Sequence, residues 1–203
     1  LYKYSVFNTI NYLNHSRRYF TMALLWILLI IVAVFVLYFI LAYNRLVSYK
    51  HRIDNAWSQI DVQLKRRYDL IPNLINTVKG YVKHERETLK ELTEARTRLM
   101  SGSVADKAKA SNQVTDALKT IFAVAENYPN LKASENFKML QEELSGTESK
   151  ISYARQFYND NVLSLNQALE SFPTNVVGNF FGFKPREYFK VSEAEKKSIK
   201  VDF

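Results

Sequence analysis

A chain of 203 residues without one cysteine can form no disulfide, no thiolate nucleophile and no zinc ribbon. Five glycines and four prolines among abundant Ala, Leu, Glu, Lys, Gln and Asn leave little to interrupt helices, so the composition points to an all-α fold. The net charge of +8 owes three to Lys3, Arg17 and Arg18; the other five are interleaved with acids in runs such as KRRYD and KHERETLKELTEARTR. That is the pattern of a solvated helical surface, not of a basic nucleic-acid-binding stripe.

Residues 1–21 are polar and aromatic without a clear period, and Met22 stands directly before an apolar run. They read as a leader or an over-extended start ahead of Met22. Residues 22–43, from Met22 to Tyr43, carry no charge. As a helix they extend about 33 Å, enough to cross the hydrocarbon of a bilayer. Trp26 near one end and Tyr38 and Tyr43 near the other suit its two interfaces. The run exceeds the core of a secretory signal, and no small-residue cleavage site follows it.

No Gly or Pro occurs from Met22 to Ile71, so one transmembrane helix is expected to continue into water as an amphipathic helix. Its apolar face carries Ile53, Trp57, Ile60, Leu64, Tyr68 and Ile71, opposite Arg52, Gln59, Gln63 and Arg66. The whole rod would reach about 75 Å. Arg45, Lys50 and Arg52 follow the span closely. They place the C-terminal domain in the cytoplasm of a single-pass plasma-membrane protein, and they are candidate contacts for anionic lipid head groups at about 1 kcal/mol each.

Pro72 removes an amide donor and biases Ile71 away from the helical region, which predicts a tight turn between antiparallel helices. The second helix would bury Leu74, Val78, Tyr81, Val82, Leu89, Leu92, Ala95 and Leu99, and end at Ser101-Gly102. Ser103-Val-Ala-Asp106 then reads as a capping box that opens a third helix. Ala110, Val114, Ala117, Leu118, Ile121 and Ala125 face inward along it until Asn127-Tyr-Pro-Asn130 closes it.

The fourth and longest helix, Ser134 to Ser171, keeps Phe137, Leu140, Leu144, Ile151, Tyr158, Val162, Leu165 and Leu169 in step over about 57 Å. Pro173 ends it. Residues 44–173 are thus expected to form an antiparallel up-down-up-down four-helix bundle. Residues 174–203 form an aromatic tail packed on or near the bundle end. This topology carries Phe180, Phe181 and Phe183 to the bilayer surface, beside the juxtamembrane basic residues.

Little in the chain looks like a reaction centre. The three histidines are His15, His51 and His84. His84-Glu85 starts like a zinc-protease helix, but Thr88 stands where the second ligand must be. No phosphate-binding glycine pattern, serine elbow or E-x-x-H diiron motif occurs. An enzyme is therefore not expected, nor a metal or cofactor site. Lys65, Arg66, Arg67 and Asp69 form the densest polar cluster. It reads either as an ion-pair network at a bundle end or as a docking surface for an acidic partner. Phe180, Phe181 and Phe183 either cover the bundle end or reach outward to the interface or a partner. Asn55, Arg155, Asn159 and Asn166 lie on or beside inward faces, where polar groups commonly fix helix register.

Three stretches resemble the LemA family. They are NAWSQIDVQLKRRYDLIPNLINTVKGYVKHE (Asn55–Glu85), NLKASENFKMLQEELSGTESKISYARQFYNDNV and the FP…NFFGF…YF…VDF ending. The resemblance spans about Met22 to Phe203; positions 1–21 depart from it. It implies a bacterial single-span membrane protein with a cytoplasmic four-helix bundle, no established enzymatic mechanism, and association with an HtpX-like membrane metalloprotease. The function expected is a membrane-anchored, non-enzymatic scaffold or adaptor that meets the bilayer and a membrane-protein partner. The alternatives are a self-assembling structural protein, a homo-oligomer, or a bundle that senses a small ligand through a core pocket.

Overall fold

The computed structural model describes the backbone of residues 2–82 and 86–190, with side chains from Tyr19 onward. The elements are α1 (Tyr2–Lys79), α2 (Arg86–Arg98), α3 (Val104–Ala125), α4 (Pro129–Ala133), α5 (Glu135–Glu170) and α6 (Thr174–Phe180); no strand occurs among the described residues. The architecture is all-α, as expected: one long apolar helix that continues into an antiparallel bundle.

The backbone of α1 is helical from Tyr2 through the apolar run. That run is long and apolar enough to cross a membrane, and its side chains, Leu25, Ile30 and Leu41 among them, face outward all round. From Ala42 onward one stripe turns inward: Ala42, Leu46, Ile53, Ala56, Ile60, Leu64, Ile71, Leu74 and Val78 are buried. The steps of three, four and seven are those of a single helix face. Each fully buried Leu or Ile contributes about 1.5–3 kcal/mol of transfer free energy.

The turn expected at Pro72 is absent, and α1 runs straight through it. Proline leaves the carbonyl of the residue four positions earlier without its amide donor. That carbonyl, on Tyr68, accepts a hydrogen bond from Arg96 Nε at 2.8 Å. The same guanidinium lies 3.8 Å from the Tyr68 ring centre. The orphaned group is thus paired from α2, and the helix has no reason to stop until Gly80. Leu74 and Val78 consequently belong to α1 rather than to a second helix, and Tyr81 is exposed in the turn.

α2 returns along the upper part of α1, with Arg96 at the level of Tyr68. α3 runs outward again: Lys107 Nζ meets Asp61 at 2.6 Å, and Arg67 Nη1 meets Thr115 further along. Its start is the capping box expected from the sequence. Asp106 N–H donates to Ser103 Oγ at 3.2 Å, and Ser103 N–H donates to Asp106 Oδ2 at 2.9 Å. Gly102 precedes it at φ 89°, where a Cβ would meet Asp106 at 2.7 Å. The short α4, not anticipated, crosses the far end. α5 comes back down the full length of the bundle, from Glu143 beside Arg66 to Tyr158 beside Trp57.

The four main helices are unequal. At 13 residues α2 covers about 20 Å, whereas α5 at 36 residues covers about 54 Å. The membrane-proximal half of the bundle is therefore α1 and α5 alone, completed by α6 and by residues 183–190 lying along them.

Candidate functional site

The polar cluster on α1 divides in two. Lys65 and Asp69 pair with each other one turn apart at the surface, and Arg66 reaches Glu143 of α5 in a half-exposed pair. Arg67 is completely buried. Its Nη2 pairs with Glu148 of α5, its Nη1 donates to Thr115 Oγ1 of α3 at 3.2 Å, and the Thr115 hydroxyl donates to Glu148 at 2.7 Å. Burial lowers the Arg67 pKa from its ordinary value to about 10, so the guanidinium is still charged at neutral pH. Arg67 therefore leaves the docking surface expected from sequence, because no partner can touch it; it ties three helices together. The cluster lies mid-bundle rather than at a bundle end, and Asp69 takes Lys65.

A second assembly, near the foot of the bundle, is built by α5 and the tail. α6 ends in a left-handed glycine cap: Phe183 N–H donates to Gly178 C=O at 2.9 Å and Gly182 N–H to Asn179 C=O at 3.2 Å. Gly182 sits at φ 72°, which a side chain would strain. The chain then turns back as an extended strap along α5. Asn166 Nδ2 donates to Arg186 C=O at 3.0 Å while its Oδ1 accepts from Arg186 N–H at 2.9 Å. Asn159 makes the same pair of bonds with Phe189, at 3.0 and 2.9 Å.

Seven helical residues advance about 10.5 Å and three extended residues about 10 Å, so two asparagines two turns apart fit strap residues three apart. Between the clamps, the Tyr158 hydroxyl donates to Glu187 C=O at 2.9 Å, and burial raises the pKa of that phenol. The strap delivers Phe189, fully buried, to a ring cluster with Trp57 at 6.3 Å, which in turn meets Tyr158 at 5.8 Å. Asn159 and Asn166 fix the register of the strap rather than that of a helix.

The three aromatic docking candidates separate here. Phe183 is half-buried against the core; Phe181 packs on Tyr43 with ring centres 4.6 Å apart; Phe180 is 78% exposed. All three lie at the level where the apolar run of α1 ends. Of the lipid-contact candidates, Arg45 donates to Tyr49 Oη at 2.9 Å, Arg52 is exposed, and Lys50 lines an open cavity of about 690 Å³. Tyr43, His51, Phe183, Lys184 and Arg186 share that cavity with it. No sequence signal points to Lys184 or Arg186 at this place, because the strap's return path is visible only through its asparagine clamps.

No group of three His, Cys, Asp or Glu residues could hold a metal among the described residues. His84 and Glu85 lie outside the described residues, as does the side chain of His15. The cavity between Val78, Leu89 and Ile121 measures about 10 Å³, about one water at most.

The LemA family model matches residues 56–203. Protein LemA of Metamycoplasma hominis is 28% identical over 179 residues, which cover 86% of this chain and 81% of that protein. The magnetosome protein MamQ 2 of Paramagnetospirillum magneticum is 23% identical over 199 residues, covering 85% and 73%. The magnetosome protein MamQ of Magnetospirillum gryphiswaldense is 23% identical over 182 residues, covering 76% and 67%.

Proposed function

The chain belongs to the LemA family, and from that membership we propose that it is a membrane-anchored, non-enzymatic helical adaptor whose bundle stands on the cytoplasmic face of the plasma membrane. One observation carries this reading: α1 is both the apolar run and the central core helix of the bundle. Such a helix holds a rigid surface at fixed height above the bilayer and raises its effective concentration for membrane partners. The cytoplasmic placement is supported by Arg45, Lys50 and Arg52 just beyond the span.

The partner surface best supported is the outer groove between α1 and α5. There Val62, Tyr153 and Phe157 are 62%, 75% and 50% exposed, with Lys150 at the rim. The partner class is another membrane protein, an HtpX-like metalloprotease being one candidate. The same apolar groove favours a second reading, lateral self-association of the bundles.

A photo-crosslinking residue at Val62, used in native membranes after a carbonate wash, separates the two. Discrete heterologous bands support the adaptor, and a ladder of self-multiples supports assembly. Release of the chain by the wash would overturn the anchored reading altogether.

A further inference from the structure

We infer that the cavity between α1 and the strap binds the phosphate head group of an anionic phospholipid, with α6 wedged into the adjoining leaflet. The inference rests on the membrane anchoring proposed above and adds a site to it.

Depth is the first argument. Thr174, the first residue of α6, hydrogen-bonds through its hydroxyl to Tyr38 Oη at 3.0 Å. Tyr38 precedes Tyr43, the end of the uncharged run, by five residues, or about 7.5 Å. The start of α6 therefore lies at the edge of the hydrocarbon, where Tyr38 meets the interface, whenever the run spans a bilayer. Its inward side fits that position closely: Val177 is buried, and a Cβ on Gly178 would collide with the Leu169 side chain. Its outward side shows Val176 and Phe180, exposed by 48% and 78%, and Phe172 just before it is exposed by 82%. Ile40 and Leu41 of the span, close to Tyr38 on α1, are likewise exposed, by 52% and 60%. The bilayer that covers the one group covers the other.

Charge is the second argument. Lys50 stands seven residues, about 10 Å, past Tyr43, where head groups replace hydrocarbon. Lys184 reaches the same cavity from the strap. Arg186 is engaged with Asp54 at 3.3 Å, but among the described residues neither Lys50 nor Lys184 forms an ion pair. The cavity volume of about 690 Å³ is that of ordinary small-molecule sites. Its aromatic side, Tyr43 with Phe181 and Phe183, adjoins the span. Two unpaired ammonium groups above and an aromatic, membrane-level wall below suit an amphiphile whose anionic end points away from the bilayer core. A soluble phosphate would use only half of this arrangement.

The test uses the full chain, carrying Phe180→Trp as a reporter, in vesicles of phosphatidylcholine with or without phosphatidylglycerol. Brominated chains are placed on one lipid or the other at equal total bromine, and the fluorescence of the introduced indole is read as the difference from the parent chain. Brominated phosphatidylglycerol should quench more strongly, with a preference of roughly fivefold for each lysine engaged. K50Q/K184Q should cut the preference about 25-fold, to the remainder left by Arg45 and Arg52, while leaving helicity and flotation with vesicles unchanged, and K50R/K184R should restore it.

Equal quenching by the two lipids overturns the head-group site, as does a preference that K50Q/K184Q leaves undiminished. Glycerol phosphate that binds the chain in phosphatidylcholine vesicles with the same dependence on the two lysines, and that phosphatidylglycerol does not displace, would assign the cavity to a soluble ligand instead and equally overturn the proposal. No quenching by either lipid overturns the wedge. Failure to float with vesicles reports separately on the anchoring itself.

Discussion

The two halves of the bundle solve the same problem with different materials. In the upper half the apolar stripe of α1 is enclosed by three other helices, and a buried guanidinium, Arg67, links α1 to α3 and α5. In the lower half α5 is the one long helix beside α1, and the short α6 and an extended strap supply the missing wall, the strap with a single buried ring, Phe189. A helix satisfies its own backbone and can pack by apolar contact alone. An extended strap cannot, so every stretch of it laid on a helix must find donors and acceptors there. Asn159, Asn166 and the Tyr158 hydroxyl are those partners. The upper half is thus held mainly by matched surfaces, the lower half by a register of polar clamps.

This contrast predicts where substitutions hurt. Arg67→Ala strands Glu148 in a partly buried setting and opens a void, so about 3–5 kcal/mol of stability should be lost, with damage centred on the upper half. Denaturant unfolding of the full chain in detergent measures the loss, and a cost below about 1 kcal/mol would make Arg67 an ordinary surface cation. Phe189→Ala should cost about 3 kcal/mol and act on the lower half. Hydrogen exchange should then rise in the strap and lower α5, while α2 and α3 amides keep their protection.

Asn159→Ala leaves the N–H and C=O of Phe189 unpaired, for a loss of about 1–3 kcal/mol. Limited proteolysis should then cut first between Phe183 and Lys190. If the strap stays protected, the clamps do not set its position.

The smallest effect concerns the cap of α3. Ser103→Ala should cost about 1 kcal/mol. The bonds from the Ser103 backbone and hydroxyl hold the Asp106 carboxyl below its ordinary 3.8. Their contribution is therefore complete above that value and lost as pH falls through the lower folded value. Amides of the first turn of α3 should lose protection in that acidic range, and Ser103→Ala, which removes the hydroxyl's bond but keeps the backbone one, should weaken the dependence.

Local chemistry was legible in the sequence and distant rescue was not. The cap at Ser103 and the ends of α5 follow from residues within one turn, and the structure agrees at Val104 and Glu135–Glu170. The continuation through Pro72 depends on Arg96, which lies 28 positions later than Tyr68 and cannot be matched to the Tyr68 carbonyl without the fold. Arg67 stands in a run of three cations, and only its place in the stripe Ile60, Leu64, Arg67, Ile71 distinguishes it from exposed Lys65 and Arg66. Asn159 and Asn166 showed their inward position, but two polar residues seven apart on a helix do not disclose a strap. α6 was missed because seven residues that include a glycine carry too little periodicity to read.

The unbroken passage of α1 from apolar run to bundle has a mechanical consequence. With no joint between Tyr43 and Lys79, some 36 residues or about 54 Å, any inclination of the membrane segment is inherited by the far end. Spans commonly lean by about 20°, and a lean of that size would sweep the tip near Gly80 sideways by roughly 18 Å. A bilayer that thins or thickens would thus steer where the molecule's outer end can reach, making its search radius a property of the lipid around it.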